Sequence, residues 1–379
     1  MAWPLLKPFR ALRYDVDTAG PLDQLVAPPY DVVSSELMQR LVQASPYNVI
    51  RLIRPYEYDV EGERLREWTA RGVLVREQRQ AIWRIEEEYV GPDGQGRVRR
   101  GLVARVRLEP YERGVVLPHE RIFAGPTETR LRLLRATRTK LSPVLLLHDG
   151  APSPPMSTPP DLEARLDDSV TRLWRIDERA AIEAELGSIA GPLFIADGHH
   201  RYDAALRFHL EEGSDETAYV MGALVSVADP GLTIFPTHRV VTGPVPELNG
   251  TIHVTPIDGG AAEGLARLGS VSRDHPAFVL VRPGEISLAE VAEPIADPVE
   301  RLDVAALDEL GLDSVSFTPS LQEAEDAVAA GWASAAFLVR APTVSQVEEI
   351  ARAGRTMPAK STYFYPKLTS GLLFSPFDE

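Results

Sequence analysis

Cysteine is absent from the chain. That excludes disulfides, thiolate nucleophiles and thiolate-held zinc or iron–sulfur groups. Long apolar runs are missing too, and none approaches the ~20 residues that a membrane-spanning helix needs. The opening stretch, Met1 to Arg10, has no apolar core of the kind a signal peptide carries. The expectation is a cytoplasmic protein without a membrane partner. Several standard signatures are also lacking. There is no Gly-x4-Gly-Lys-Ser/Thr loop, no His-Glu-x-x-His helix, no Gly-x-Ser-x-Gly elbow and no protein-kinase motif set.

What is present is ordinary in bulk. The 379 residues are 44% hydrophobic and 25% charged, as in a globular protein. This length favours two compact units. The formal net charge of −15 makes nucleic acid an unlikely partner, because non-specific affinity comes from neutralising phosphates. The charge is uneven, however. Residues 97–140 hold twelve Lys/Arg against four acids, a local +8 that leaves −23 elsewhere. Either a small-anion site or solvated strand and helix faces accounts for such a segment.

Periodicity predicts a mixed α/β chain. Asn48 to Ile53 alternates like a strand, and Val60 to Glu77 has helical spacing with Leu65, Trp68 and Val73 inward. Ala81–Ile85 and Arg99–Leu108 flank Gly91–Gly96 as a hairpin. Glu128 to Leu141 reads as a helix and Pro143 to Leu147 as a buried strand. Five prolines in residues 152–160 mark a loop or linker. The expected division is 1–150, an α/β unit with the basic helix, and 161–379, an α/β unit carrying the main motif, the two sharing one site. The second unit alternates helix 178–189, strand 193–196, helix 201–212 and strand 218–227. Beyond these come strand 233–241, a hairpin over 277–291, helices 304–310 and 321–330, strand 335–340 and a helix capped by Thr343.

Chemistry concentrates in Phe194-Ile-Ala-Asp-Gly-His-His-Arg-Tyr202. An apolar strand passes through Asp197-Gly198 into a helix with Tyr202, Ala205 and Phe208 on one face. A helix start offers free N–H groups and a positive dipole end, where phosphate binds readily. Gly198 permits close backbone approach. Arg201 can fork onto phosphate oxygens, and Asp197 can hold Mg²⁺ or act as a base. An Asp cap with two surface histidines is the plainer account, but it leaves His199, His200 and Arg201 in a row unexplained. Further candidates are His119 beside Glu120, Arg135 and Arg138 on the basic helix, Tyr30 and Asp31 after two prolines, and His238-Arg239 breaking a strand. In the tail, Lys360, Ser361, Thr362 and Lys367 are phosphate-type donors.

These motifs together resemble the domain-of-unknown-function family DUF1015. The matching pieces are Lys7 to Tyr14, Ala27 to Val32, Asn48 to Leu52, Leu134 to Arg138, Ala196 to Tyr202, Pro236 to Arg239 and Lys360 to Lys367. Asp197-Gly-His-His-Arg201 also resembles the Asp-Gly-x-His-Arg signature of free-serine kinases of the ParB/sulfiredoxin-like superfamily. That second resemblance implies a ParB/sulfiredoxin-like core with additional mixed sheet and helices, and nucleotide phosphates around the motif. It places Asp197, His200 and Arg201 in the active site and calls for an upstream glutamate as base, for which Glu120 is the candidate. The expected function is transfer of phosphate from ATP or ADP, with Mg²⁺, to a hydroxyl of a small metabolite such as free L-serine. A nucleotide-binding sensor and a hydrolase of a phosphorylated metabolite are the alternatives, and a homo-oligomer is compatible with either.

Overall fold

The structure, a computed structural model, describes residues 5–54, 58–248 and 250–377. Its centre is a nine-stranded mixed sheet. The strands are β1 (Leu6–Lys7), β2 (Ile82–Val90), β3 (Gly96–Arg107), β4 (Val116–Pro118), β5 (Val144–His148), β6 (Leu162–Leu166), β7 (Ser169–Ile176), β8 (Leu193–Asp197) and β9 (Tyr219–Ser226). They run in the order β4-β8-β5-β9-β3-β2-β7-β6, with β1 added on β3. The pairs β4/β8 and β5/β9 are parallel, and the other pairs are antiparallel. The β2–β3 hairpin turns through residues 91–95, where Gly94 takes φ +73°.

Val144 to Leu147 shows why the middle strands are apolar throughout. Val144 and Leu146 belong to one core cluster, and Leu145 and Leu147 to another. Period two sends neighbours to opposite faces, and both faces are covered. Helix α1 (Ala124–Thr137) packs against α2 (His199–Glu212). Tyr202, Ala205 and Phe208 of α2 are buried against the sheet. Each large side chain so buried contributes about 1.5–3 kcal/mol.

A second sheet of six strands is antiparallel throughout. It comprises β10 (His238–Val241), β11 (Ile252–Pro256), β12 (Ala277–Arg282), β13 (Glu285–Val291), β14 (Val315–Thr318) and β15 (Ala335–Leu338). Their order is β11-β13-β12-β15-β10-β14. Helices α3 (Ala261–Ser270) and α4 (Leu321–Ala329) cover one face. The other face, with Phe278, Leu280 and Phe337, joins the core cluster of the large sheet.

The proline-rich segment 152–160 does not divide these bodies. It leaves β5 and leads to β6, two strands of the same sheet. The large sheet therefore draws on both sides of that segment, and the second body begins near β10. The last described residues make two further two-stranded pairings outside both sheets. Tyr363–Tyr365 pairs with Thr233–Phe235, and Ser375–Pro376 pairs with Thr139–Lys140. Asn48 to Ile53 is not a strand. Asn48 Oδ1 accepts from the Ile50 N–H at 2.9 Å, and Ile50–Ile53 form one helical turn. A short Asn-led apolar run reads as either element when the side-chain bond is unseen.

Candidate anion-binding site

Parallel pairing builds the site. Val116, Leu117 and Pro118 of β4 stand opposite Leu193, Phe194 and Ile195 of β8. The residues that follow, His119-Glu120 and Asp197-Gly198-His199, consequently emerge side by side. The Asp197-Gly198 step turns the chain into α2, with Gly198 at φ +93° as its N-terminal flanking residue. A Cβ there would lie 2.9 Å from Arg201 Cζ, so the guanidinium sits directly over the glycine. The first N–H groups of α2 have no intrahelical acceptor, and no side chain caps them.

Asp197 is the electrostatic centre. Lys367 Nζ donates to its Oδ1 and Arg201 Nη2 to its Oδ2. Burial pushes the Asp197 carboxyl up, but Lys367 and Arg201 outweigh it and hold the group well below the usual carboxylate range. Burial likewise pulls Lys367 down, and Asp197 more than reverses that. Arg201 is held from the other side by the Pro143 carbonyl.

The histidines have assignable tautomers. His119 Nδ1 lies 2.7 Å from the Ile195 carbonyl, an acceptor only, so Nδ1 carries the proton. Its Nε2 then accepts from Thr362 Oγ1 at 3.0 Å. The His119 backbone N–H donates to His199 Nε2 at 3.4 Å. That leaves the His199 proton on Nδ1, which stands 3.4 Å from Glu120 Oε2. Burial pushes His119 down to about 4 and His199 well below its ordinary value. Burial, with the nearby Asp197 charge, raises the Glu120 carboxyl. His200 Nε2 accepts from the Phe123 N–H at 3.1 Å, and its ring stacks on Phe123.

An open cleft of about 320 Å³ gathers Tyr30, Asp31, Glu120, His199, His200 and Arg201 around the α2 start, with Lys360 at its rim. The volume lies within the range of small-ligand pockets. The tail closes one side of this cleft. Met357 forms a bridge with Glu120, and its N–H donates to the His119 carbonyl at 2.8 Å.

Other expected residues lie elsewhere. Arg135 and Arg138 point to the surface and pair with Glu211 and Glu212 of α2. Helical geometry turns them away from the cleft once Leu131 and Leu134 are buried. Most of the 97–140 charge is neutralised similarly, as in Arg100–Glu86, Arg107–Glu109 and Arg132–Glu128. That segment therefore consists largely of paired strand and helix faces. His238 and Arg239 are buried in the second sheet, where His238 Nδ1 accepts from the Val339 N–H. Arg239 donates to the Lys360 carbonyl at 3.1 Å and so supports the tail from behind. Ser361 is buried and bonds the Pro358 carbonyl.

As a metal ligand Asp197 does not fit, since a cation occupies each oxygen. Among the described residues no group of three or more acidic, histidine or cysteine side chains forms a metal cage.

Sequence reasoning passed over Arg121, Phe123 and Ala359, which line the cleft. It also passed over Glu87 and Arg99, a fully buried pair at 2.6 Å. Arg99 Nη2 donates to the Pro366 carbonyl at 2.8 Å and so holds the residue before Lys367. A signal existed: counting back from the 91–95 turn places Glu87 opposite Arg99.

Fold and cleft together define a mixed α/β protein with a highly charged cleft at a helix start. The chain belongs to the family described as a protein of unknown function (DUF1015), which it matches over residues 6–305. No curated protein matches it. Among solved structures, a free serine kinase in complex with AMP is 16% identical, with 70% of this chain and 88% of that chain covered and a TM-score of 0.41. A conserved hypothetical protein from Pyrococcus furiosus is also 16% identical, covering 70% and 91% with a TM-score of 0.38. A C-terminally truncated SbnI from Staphylococcus aureus is 13% identical, covering 73% and 87%, again with a TM-score of 0.38. Among the described residues no helix is long and apolar enough to cross a membrane.

Proposed function

We propose that the cleft is the active site of a nucleotide-dependent phosphotransferase acting on the hydroxyl of a small metabolite. One observation carries the reading: Asp197 holds Lys367 and Arg201 at the uncapped start of α2, with Glu120 in the same cleft. A phosphoryl group placed there meets two fixed cations and free backbone N–H groups. Phosphoryl transfer needs positioning and charge stabilisation more than covalent help. Glu120, its carboxyl raised by burial, takes the proton of the acceptor hydroxyl. The acceptor oxygen bonds to phosphorus as the bond from phosphorus to the leaving nucleotide oxygen breaks. His199, neutral and hydrogen-bonded through Nε2, orients Glu120 through Nδ1. ATP or ADP as donor, and free L-serine as the first acceptor to try, rest on the likeness of the Asp-Gly-His-His-Arg segment to free-serine kinases.

The test is product formation. ATP or ADP is incubated with the full chain and a panel of hydroxylated metabolites that includes L-serine, and phosphorylated products are read by mass spectrometry. Turnover that falls at least about 100-fold in Glu120→Gln, the scale of general-base catalysis, supports the reading. Turnover untouched by Glu120→Gln removes Glu120 from the base role. No product with any acceptor, alongside intact nucleotide binding, moves the protein to the sensor class.

A further inference from the structure

Beside the cleft lies a second, smaller chamber. Tyr30 and Arg201 line both spaces. Lys140 and Arg130 bring further positive charge, the walls include Leu133, Leu134 and Leu141, and among the described residues no acidic side chain contributes. Arg201 is already matched by Asp197, and Arg130 donates to the Ile53 carbonyl and covers the Tyr30 ring at 3.6 Å. Lys140 differs. It is 4% exposed, and its Nζ has no hydrogen-bond partner among the described residues. It lies over the Phe377 ring, 4.5 Å from the centroid. A buried amine among apolar groups and other cations is a costly arrangement unless something compensates it.

We propose that this chamber is a subsite for a small oxyanion, with Lys140 as its counter-charge. Size selects the ligand class. The free volume of about 50 Å³ holds roughly three or four water-sized groups. That suits a carboxylate or a single phosphoryl group and excludes a nucleobase. Charge points the same way, because a cationic lining without an acid favours an anion. Burial, assisted by Arg105, pulls the Lys140 ammonium down to about 7, and a bound anion restores the charged form. Because Tyr30 and Arg201 line both spaces, the subsite lies directly beside the cleft. The subsite would then recognise an anionic group on whatever the cleft acts upon. That last point rests on the phosphotransferase reading, whereas anion binding itself does not.

Equilibrium dialysis of the full chain against radiolabelled inorganic phosphate and, separately, acetate tests the site without nucleotide. The expected result is that Lys140→Met loses one equivalent of bound anion, or binds it about 10- to 100-fold more weakly, as loss of one charge-assisted hydrogen bond requires. Loss confined to acetate identifies a carboxylate, and loss confined to phosphate identifies a phosphoryl group. Identical stoichiometry and affinity in the two proteins, for both anions, overturns the proposal. The difference between the proteins is one equivalent whether or not the cleft binds phosphate as well, so this result stays separate from the fate of the phosphotransferase reading. Lys140→Met removes a buried charge and is expected to fold. Lys140→Gln carries the same comparison if it does not.

Discussion

Asp197 joins a strand end, a helix start and the chain's tail through one carboxylate. Replacing it with Asn leaves Lys367 and Arg201 buried without their counter-charge. Breaking a buried pair in this way costs about 3–5 kcal/mol, and chemical denaturation of Asp197→Asn is expected to show a loss of that order. The pH dependence has a definite sign. The folded carboxyl titrates below its ordinary 3.8, so its stabilisation is complete above that value and is lost as the pH falls beneath it. Gly198 is the second sensitive residue. Gly198→Ala meets both a φ of +93° and the Arg201 guanidinium. A cost of about 1–3 kcal/mol is expected from the backbone strain, together with weakened phosphate binding as Arg201 is displaced. An alanine variant with unchanged phosphate affinity would show that Arg201 need not lie over the glycine.

At the scale of elements, the tail matters more than its length suggests. It runs as an extended segment along the cleft and delivers Lys367 to Asp197, with Thr362 against His119. Arg99 on the β2–β3 hairpin, held by Glu87, fixes its course by donating to the Pro366 carbonyl. Arg99→Leu alone strands the buried Glu87 carboxylate and is expected to destabilise by about 3–5 kcal/mol. Glu87→Leu combined with Arg99→Leu removes both charges and should recover most of that loss. The double variant should still bind phosphate less well, because Lys367 loses its anchor. Denaturation midpoints together with phosphate titrations separate the two effects. If the double variant binds phosphate normally, the hairpin has no part in positioning Lys367.

For the whole molecule, six of the eight histidines (His119, His148, His199, His200, His209 and His238) are pushed below their ordinary value, in each case chiefly by burial. The unfolded chain takes up these protons near the model-peptide value of 6.5. The folded chain resists, His119 and His238 down to about 4. At these histidines the unfolded state thus binds more protons throughout that window, and their contribution to stability falls as the pH drops through it. Melting temperatures measured from pH 8 to pH 4 should decline below about 6.5. A flat profile down to pH 5 would show that the histidines are not held neutral. The same scale marks the limit of sequence reasoning. Local signals were sufficient for the β2–β3 hairpin, the buried run at Val144, the strand-to-helix passage at Asp197 and the Thr343 cap, because each is encoded within a few residues. They were insufficient for Asn48 to Ile53, where one side-chain hydrogen bond chose helix over strand. Residue chemistry by itself determined that Asp197-Gly-His-His-Arg201 sits where a strand passes into a helix. Only the tertiary structure decided the company it keeps. Parallel pairing of β4 with β8 brings in Glu120, and the returning tail brings in Lys367, while Arg135 and Arg138 are committed to surface carboxylates. These are contacts between residues some 80 to 170 positions apart, set by strand order and burial, and no local pattern carries them.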